Sequence, residues 1–265
     1  MAACIFCGNP ANSREDAIPK WLTRAVLRGE IAGLDLEPGA DGIHVALGDD
    51  GEPTREVRGR IGTVYLKICS GCNSGWMASL EGRVLPFLPQ LIGAYPSGYP
   101  VGPVLRLDTQ ARSDLAAWAL KTLMVFLHTG PGVKYRGVPA ADYTHLYEQH
   151  RLSTRRMAVR AFQVPPTVLD RTTGKEVFIE TGITSVVKPY KGFVGWLRVG
   201  HFAVQIYSMR LPAGKRLNPF KEYPSTLPLW PLTGQFVWPP DEAVSPTAFV
   251  DLVGGPFQIK TSAKR

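Results

Sequence analysis

Cys69-Ser70-Gly71-Cys72-Asn73-Ser74-Gly75-Trp76-Met77 decides how this chain is read, because its Cys-x-x-Cys spacing repeats that of Cys4-Ile5-Phe6-Cys7. The chain has no other cysteine. A Cys-x-x-Cys turn sets two thiolates on one side of a tight loop, and two such turns supply the four soft ligands that tetrahedral Zn²⁺ prefers. The competing reading is a pair of disulfides. The opening MAACIFCGNP shows no basic segment followed by an apolar run, so a cytoplasmic protein with reduced, zinc-binding cysteines is expected. A closed four-thiolate site of this kind holds a domain together and does not by itself name an activity.

Outward from the cysteines, 265 residues suit two domains, each able to bury a core. A hydrophobic fraction of 45% is ordinary for a globular protein. No run reaches the roughly 18 apolar residues of a membrane span. Residues 115–127 come nearest, and Lys121 interrupts them. No membrane partner is expected. A net charge of +8 and a pI near 9.4 favour polyanions, and the excess is local. Residues 1–100 hold 9 Lys+Arg against 11 Asp+Glu, whereas residues 101–265 hold 21 against 11. Arg155-Arg156 with Arg160, and Lys215-Arg216 with Lys221, suit a phosphate-contacting surface or are simply solvated faces.

Prolines and glycines crowd residues 86–103, which read as an irregular linker and place a domain boundary near residue 100. The first domain, 1–100, holds both cysteine pairs. Within it, residues 23–31 suit a short amphipathic helix that stops at Gly29 or Gly33, residues 42–47 and 55–68 flank a turn as a hairpin, and a helix begins at or just after Cys72. The second domain, 101–265, opens with a helix over 111–128, with Ser113 as its cap and Gly130-Pro131 to end it, and another over 140–150. From residue 157 on, short runs rich in Val, Ile, Phe, Tyr and Trp predict mostly antiparallel sheet, as at 193–198, 202–209 and 248–253. The fold class is therefore α+β.

Two local words sharpen the reading. Glu15-Asp16-Ala17-Ile18-Pro19-Lys20-Trp21-Leu22 follows the first cysteine pair, and Asn73-Ser74-Gly75-Trp76-Met77-Ala78-Ser79-Leu80-Glu81 follows the second. In order and wording, residues 1–85 resemble the HNH endonuclease superfamily, in the subgroup of form C-x-x-C, E-H-x-x-P-K-W-L, C-x-x-C-N-x-G-W-M-x-x-L-E. The resemblance implies a small ββα-metal domain stapled by a four-cysteine structural Zn²⁺ at Cys4, Cys7, Cys69 and Cys72. It also implies hydrolysis of phosphodiester bonds with a hard ion, Mg²⁺ or Mn²⁺, whose charge the metal-bound phosphate oxygen and the leaving oxygen share.

By the same resemblance Glu15 matches the acidic metal ligand and Asn73 the helix asparagine that ligates the ion or fixes the hairpin. Asp16 stands where the family places its histidine base. An ordinary aspartate, with a pKa of about 3.9, is a weak base at neutral pH. Glu81, two helical turns beyond Asn73, adds a carboxylate near the position of a metal-binding histidine in related nucleases. Lys20, with Arg14 second, suits phosphate contact. Nucleic acid, DNA ahead of RNA, is the expected partner. Two rivals stand beside the nuclease: a nucleic-acid-binding module that has lost hydrolysis, and a zinc-stapled platform for another protein. Glu15, Asp16 and Asn73 also suit plain capping roles, with Glu81 a solvated helix residue. Trp21, Trp76 and Met77 suit a small core under the zinc, and His44 is an inert hairpin residue or a replacement base.

Overall fold

A computed structural model describes residues 2–28, 30–31, 41–47, 53–60, 65–93, 104–128, 138–164, 179–186, 192–212, 225–240 and 242–245, with the backbone alone for 26–27, 41–47, 53–60, 180 and 184–186. It is a mixed α+β structure. The chain begins with a tight loop in which the Cys4 N–H donates to the Asn9 carbonyl at 2.8 Å and the Gly8 N–H to the Cys4 carbonyl at 2.9 Å. Gly8 closes this turn at φ +77°, a left-handed backbone that favours a residue without a Cβ. Strand β1 (Ser13–Asp16) and helix α1 (Lys20–Leu27) follow.

Next come β2 (Asp41–Leu47) and β3 (Pro53–Arg60), an antiparallel pair, and then β4 (Tyr65–Ile68). The pattern predicts one long second strand over 55–68. In the structure β3 ends at Arg60, and β4 pairs instead with β1, in register Ser13↔Ile68, Arg14↔Lys67, Glu15↔Leu66 and Asp16↔Tyr65. Thus a strand from beside the first cysteine pair is zipped to the one that leads into the second. After β4 a wide helical turn, Cys72–Met77, kinks at Gly75 (φ −95°, ψ −111°) and runs into α2 (Ala78–Val84).

Residues 86–93 depart from the linker expectation. Helix α3 (Leu88–Ile92) forms with Pro89 in its first turn, where a missing N–H costs nothing, and buries Leu88, Leu91 and Ile92. The rest of the expected linker, 94–103, lies outside the described residues, as do the hairpin turn at 48–52, Gly29 and Gly33, Gly130-Pro131, the Lys215-Arg216 and Lys221 cluster and the strand expected at 248–253.

After β5 (Leu105–Leu107) comes α4 (Thr109–His128), the pivot of the molecule. Its cap is the Asp108 carboxylate, which accepts from the Ala111 N–H at 2.8 Å, rather than Ser113. Every residue from Asp114 to Leu127 is buried, so this helix is enclosed on all sides. One side packs on α2 and β4, and another on the large sheet. That sheet follows α5 (Ala140–Gln149) and contains β6 (Met157–Gln163), β7 (Ile179–Val186), β8 (Gly192–Val199), β9 (Phe202–Met209) and β10 (Leu227–Trp230). Its order is β10-β6-β9-β8-β7, antiparallel throughout, while β11 (Phe236–Trp238) pairs with β5.

Phe193, Leu197, Val199, Phe202, Val204 and Ile206 face the main core, and Ala158, Val194, Tyr207 and Met209 form a second cluster on the sheet's other face. With both faces covered, β8 and β9 read as apolar runs without clear alternation. Gly195 lets α4 approach, since a Cβ there would stand 2.5 Å from Leu123 Cδ2. One hydrophobic cluster runs from Cys4 through α2 and α4 to Trp238, so the core is continuous across the boundary expected near residue 100. No helix among the described residues is long and apolar enough to cross a membrane.

Candidate metal centre and its acidic neighbours

The two Cys-x-x-Cys turns bring the Sγ atoms of Cys4, Cys7, Cys69 and Cys72 within 4.8 Å of one another, a group that can hold a metal ion. All four are free thiols. The β1–β4 pairing sets this proximity, because it fixes the loop before β1 beside the loop after β4. The Cys72 N–H points at Cys69 Sγ at 3.3 Å. Two asparagines lock the loops together. Asn12 Oδ1 accepts from the Ser70 N–H at 2.9 Å, and Asn73 Nδ2 donates to Ser13 Oγ at 2.7 Å and to the Arg14 carbonyl at 2.9 Å.

Cys4, Cys69 and Cys72 are buried and Cys7 is partly so. Burial pushes the Cys7 and Cys72 thiols above the ordinary range. At Cys4 burial acts in the same direction, but the backbone N–H groups of Cys69, Cys7 and Phe6 outweigh it and leave the thiol lower. The wall beside the sulfurs is aromatic. Phe6 meets Trp76 edge-on at 5.5 Å, and Trp76 stacks on His150 at 5.4 Å. Trp76 and Met77 belong to the main core and Trp21 packs against it, in line with their expected role.

Behind this centre lies a group that the sequence did not lead us to expect. Adjacent residues of a strand point to opposite faces, so Glu15 and Asp16 part, Glu15 into the interior and Asp16 to the other side, where it is still largely covered at 11% exposed. Glu15 Oε1 meets Lys121 Nζ at 2.8 Å, and Glu81 Oε1 from α2 meets the same nitrogen at 2.6 Å. The Lys121 side chain is 0% exposed, against 7% for Glu15 and 20% for Glu81. Burial alone would lower the Lys121 pKa, but the two carboxylates overcome it and hold the ammonium above its usual range. At Glu15 burial is the larger effect. It raises the carboxyl above its usual range against the pull of Lys121, and the charges of Glu81 and Asp16 add to it.

Mg²⁺ or Mn²⁺ is expected among Glu15, Asp16, Asn73 and Glu81. In the structure the ammonium of Lys121 stands between Glu15 and Glu81, Asp16 pairs with Lys20 and Arg14, and the Asn73 amide is engaged by Ser13 and Arg14. Among the described residues the four cysteines form the one group of three or more such side chains that can share an ion. Asp16 pairs with Lys20 at 3.5 Å and with Arg14 at 3.9 Å. Arg14 also lies over the exposed ring of Tyr65, 3.4 Å from its centroid. The His44 side chain lies outside the described residues.

Three residues of this region escape sequence reasoning: Lys121, Asn12 and Tyr65. Lys121 left a signal, being the charge that interrupts the longest apolar run. Compared with known proteins, the chain matches no family model, no curated protein and no solved structure.

Proposed function

We propose that this chain is a zinc-stapled, HNH-like nucleic-acid-binding protein whose acidic residues build the fold and do not hydrolyse phosphodiesters. The observation that carries this reading is the Lys121 ammonium, held between Glu15 and Glu81. It supplies the positive charge that a divalent ion would bring. It cannot coordinate and acidify a water, which is the step a nuclease needs from its metal.

Four soft, largely buried sulfurs with no carboxylate among them suit Zn²⁺, and four protein ligands leave no open position, so the ion is structural. Bound there, Zn²⁺ holds the thiols deprotonated. The HNH-like reading rests on the order of parts: a strand with Glu15 and Asp16, a second strand, and a helical segment whose Asn73 bonds to the backbone of the first. The binding reading rests on the net charge of +8 and on outward cations near the centre.

The test is to incubate zinc-loaded protein with labelled DNA and RNA in EDTA, Mg²⁺ or Mn²⁺. Binding that weakens steeply with salt, with no product under any metal, is expected. Metal-dependent cleavage that disappears in Asn73→Ala would overturn the reading for the nuclease, with Asp16 as a variant base. Zinc at one equivalent without nucleic-acid affinity would overturn it for a protein-interaction platform.

A further inference from the structure

Strand register gives the β1–β4 ribbon two unlike faces. Glu15 and Leu66, with Ser13 and Ile68, turn toward the interior. Arg14, opposite Lys67, turns outward, as does Tyr65, whose partner Asp16 is largely covered at 11% exposed. Arg14, Lys67 and Tyr65 are exposed, and Lys20 joins this face through its ion pair with Asp16. Three cations therefore share this face, and two of them, Arg14 and Lys20, pair with Asp16. The Lys20 and Arg14 side chains are 67% and 54% exposed even while paired with Asp16, so an anion can reach both without desolvating the fold.

The aromatic group is what distinguishes this face from an ordinary charged surface. Tyr65 is one of few large apolar side chains that the described residues leave exposed, at 43%. The Arg14 guanidinium is stacked on it at 3.4 Å. A planar cation on a phenol ring is a flat platform about one base wide, positively charged on top. A base can stack there only if it is unpaired, because a duplex hides its base faces and offers only edges and phosphates. Lys67, beside Arg14, and Lys20, beyond Asp16, are set to hold the phosphates on either side. Asp16 orients the two cations that it pairs with.

Resting on the nucleic-acid reading above, we infer that the outward face of the β1–β4 ribbon binds single-stranded nucleic acid, with an unpaired base stacked on the Arg14–Tyr65 pair and phosphates on Lys67 and Lys20. The protein therefore prefers unpaired strands to duplex.

The experiment is fluorescence anisotropy on the zinc-loaded full chain, using labelled oligodeoxythymidine, oligouridine and a mixed-sequence duplex over a range of salt. The single strands are expected to bind at least about tenfold tighter than the duplex. Tyr65→Ala should weaken single-strand binding by about tenfold, the scale of one base–aromatic stack, and duplex binding far less. Tyr65→Phe, which keeps the ring, should restore it. Lys67→Glu and Arg14→Glu should weaken binding and reduce the slope of log K against log salt by about 0.7 for each phosphate that is no longer neutralised. A thermal melt confirms that each exposed-residue variant is folded. Arg106→Glu, an exposed cation outside the ribbon, should bind as the parent does. Duplex binding as tight as single-strand binding, or affinity that the ribbon variants leave unchanged, would overturn this inference and leave nucleic-acid binding standing. A parent that binds neither strand nor duplex would end both.

Discussion

Lys121 and Glu15 are 106 residues apart in sequence and 2.8 Å apart in the fold. Their contact joins the edge of the cysteine-bearing ribbon to the middle of the most buried helix, and Glu81 completes it from a third element. Because the ammonium is wholly enclosed, the carboxylates cannot be solvated independently of it. Lys121→Met should therefore destabilise the protein by about 3–5 kcal/mol in urea unfolding, since it leaves two poorly solvated carboxylates without their cation. The double variant Lys121→Met with Glu15→Gln should recover part of that loss. Equal losses in the single and double variants would show that packing, and not charge, makes this junction.

The same group gives a pH dependence with a definite sign. Glu15 in the fold has a pKa above its ordinary 4.5, mainly through burial. The folded state thus holds a proton that the unfolded chain releases, and this stabilisation is present below 4.5 and lost as pH rises through the raised pKa. Lys121, raised from 10.5, keeps its contribution below that value and loses it only as pH rises through its own raised pKa. Melting temperature followed upward from pH 4.5 should fall less in Glu15→Gln than in the parent. Parallel curves would exclude Glu15 as the titrating group.

The same junction marks where the sequence was legible. Cysteine spacing foretold the cluster at Cys4, Cys7, Cys69 and Cys72, because two Cys-x-x-Cys turns constrain their sulfurs locally. The helix expected over 111–128 and the strands expected at 193–198 and 202–209 were visible in their periodicity and composition, and they correspond to α4, β8 and β9. What was hidden is non-local. The β1–β4 pairing depends on register between distant segments, and nothing near Glu15 announces Lys121. Without that lysine in view, Glu15 and Glu81 look like free carboxylates awaiting a hard cation.

A second buried cation is purely architectural. Arg112, near the start of α4, donates to the carbonyls of Gly234 at 2.9 Å, Pro228 at 2.7 Å and Thr233 at 2.9 Å. It pins the segment between β10 and β11 onto the helix. Arg112→Met keeps the stem and removes the donors, so it should cost about 3 kcal/mol through the carbonyls left without a partner. Hydrogen exchange should quicken first in residues 228–234. If exchange quickened evenly across the protein, the guanidinium would matter only to global stability.

Removal of the proposed zinc tests how far the ribbon depends on its staple. Binding requires thiolates, so zinc release by chelator takes up protons, and burial makes the resulting free thiols of Cys7 and Cys72 still harder to ionise. With the ion gone, the β1–β4 pairing, the Asn12 and Asn73 bonds and the Phe6–Trp76 contact are left to hold the two cysteine loops together among the described residues. Glu15 belongs to that ribbon and reaches Lys121, so disorder starting at the sulfurs should pass to α4. Chelation at neutral pH is therefore expected to release one Zn²⁺, make four thiols reactive and lower the melting temperature of the whole chain in a single transition. Cys72→Ser should behave likewise, with addition of Zn²⁺ giving little recovery. A chelated protein that keeps its parent melting temperature, with four reactive thiols, would show that packing alone holds the ribbon against α4.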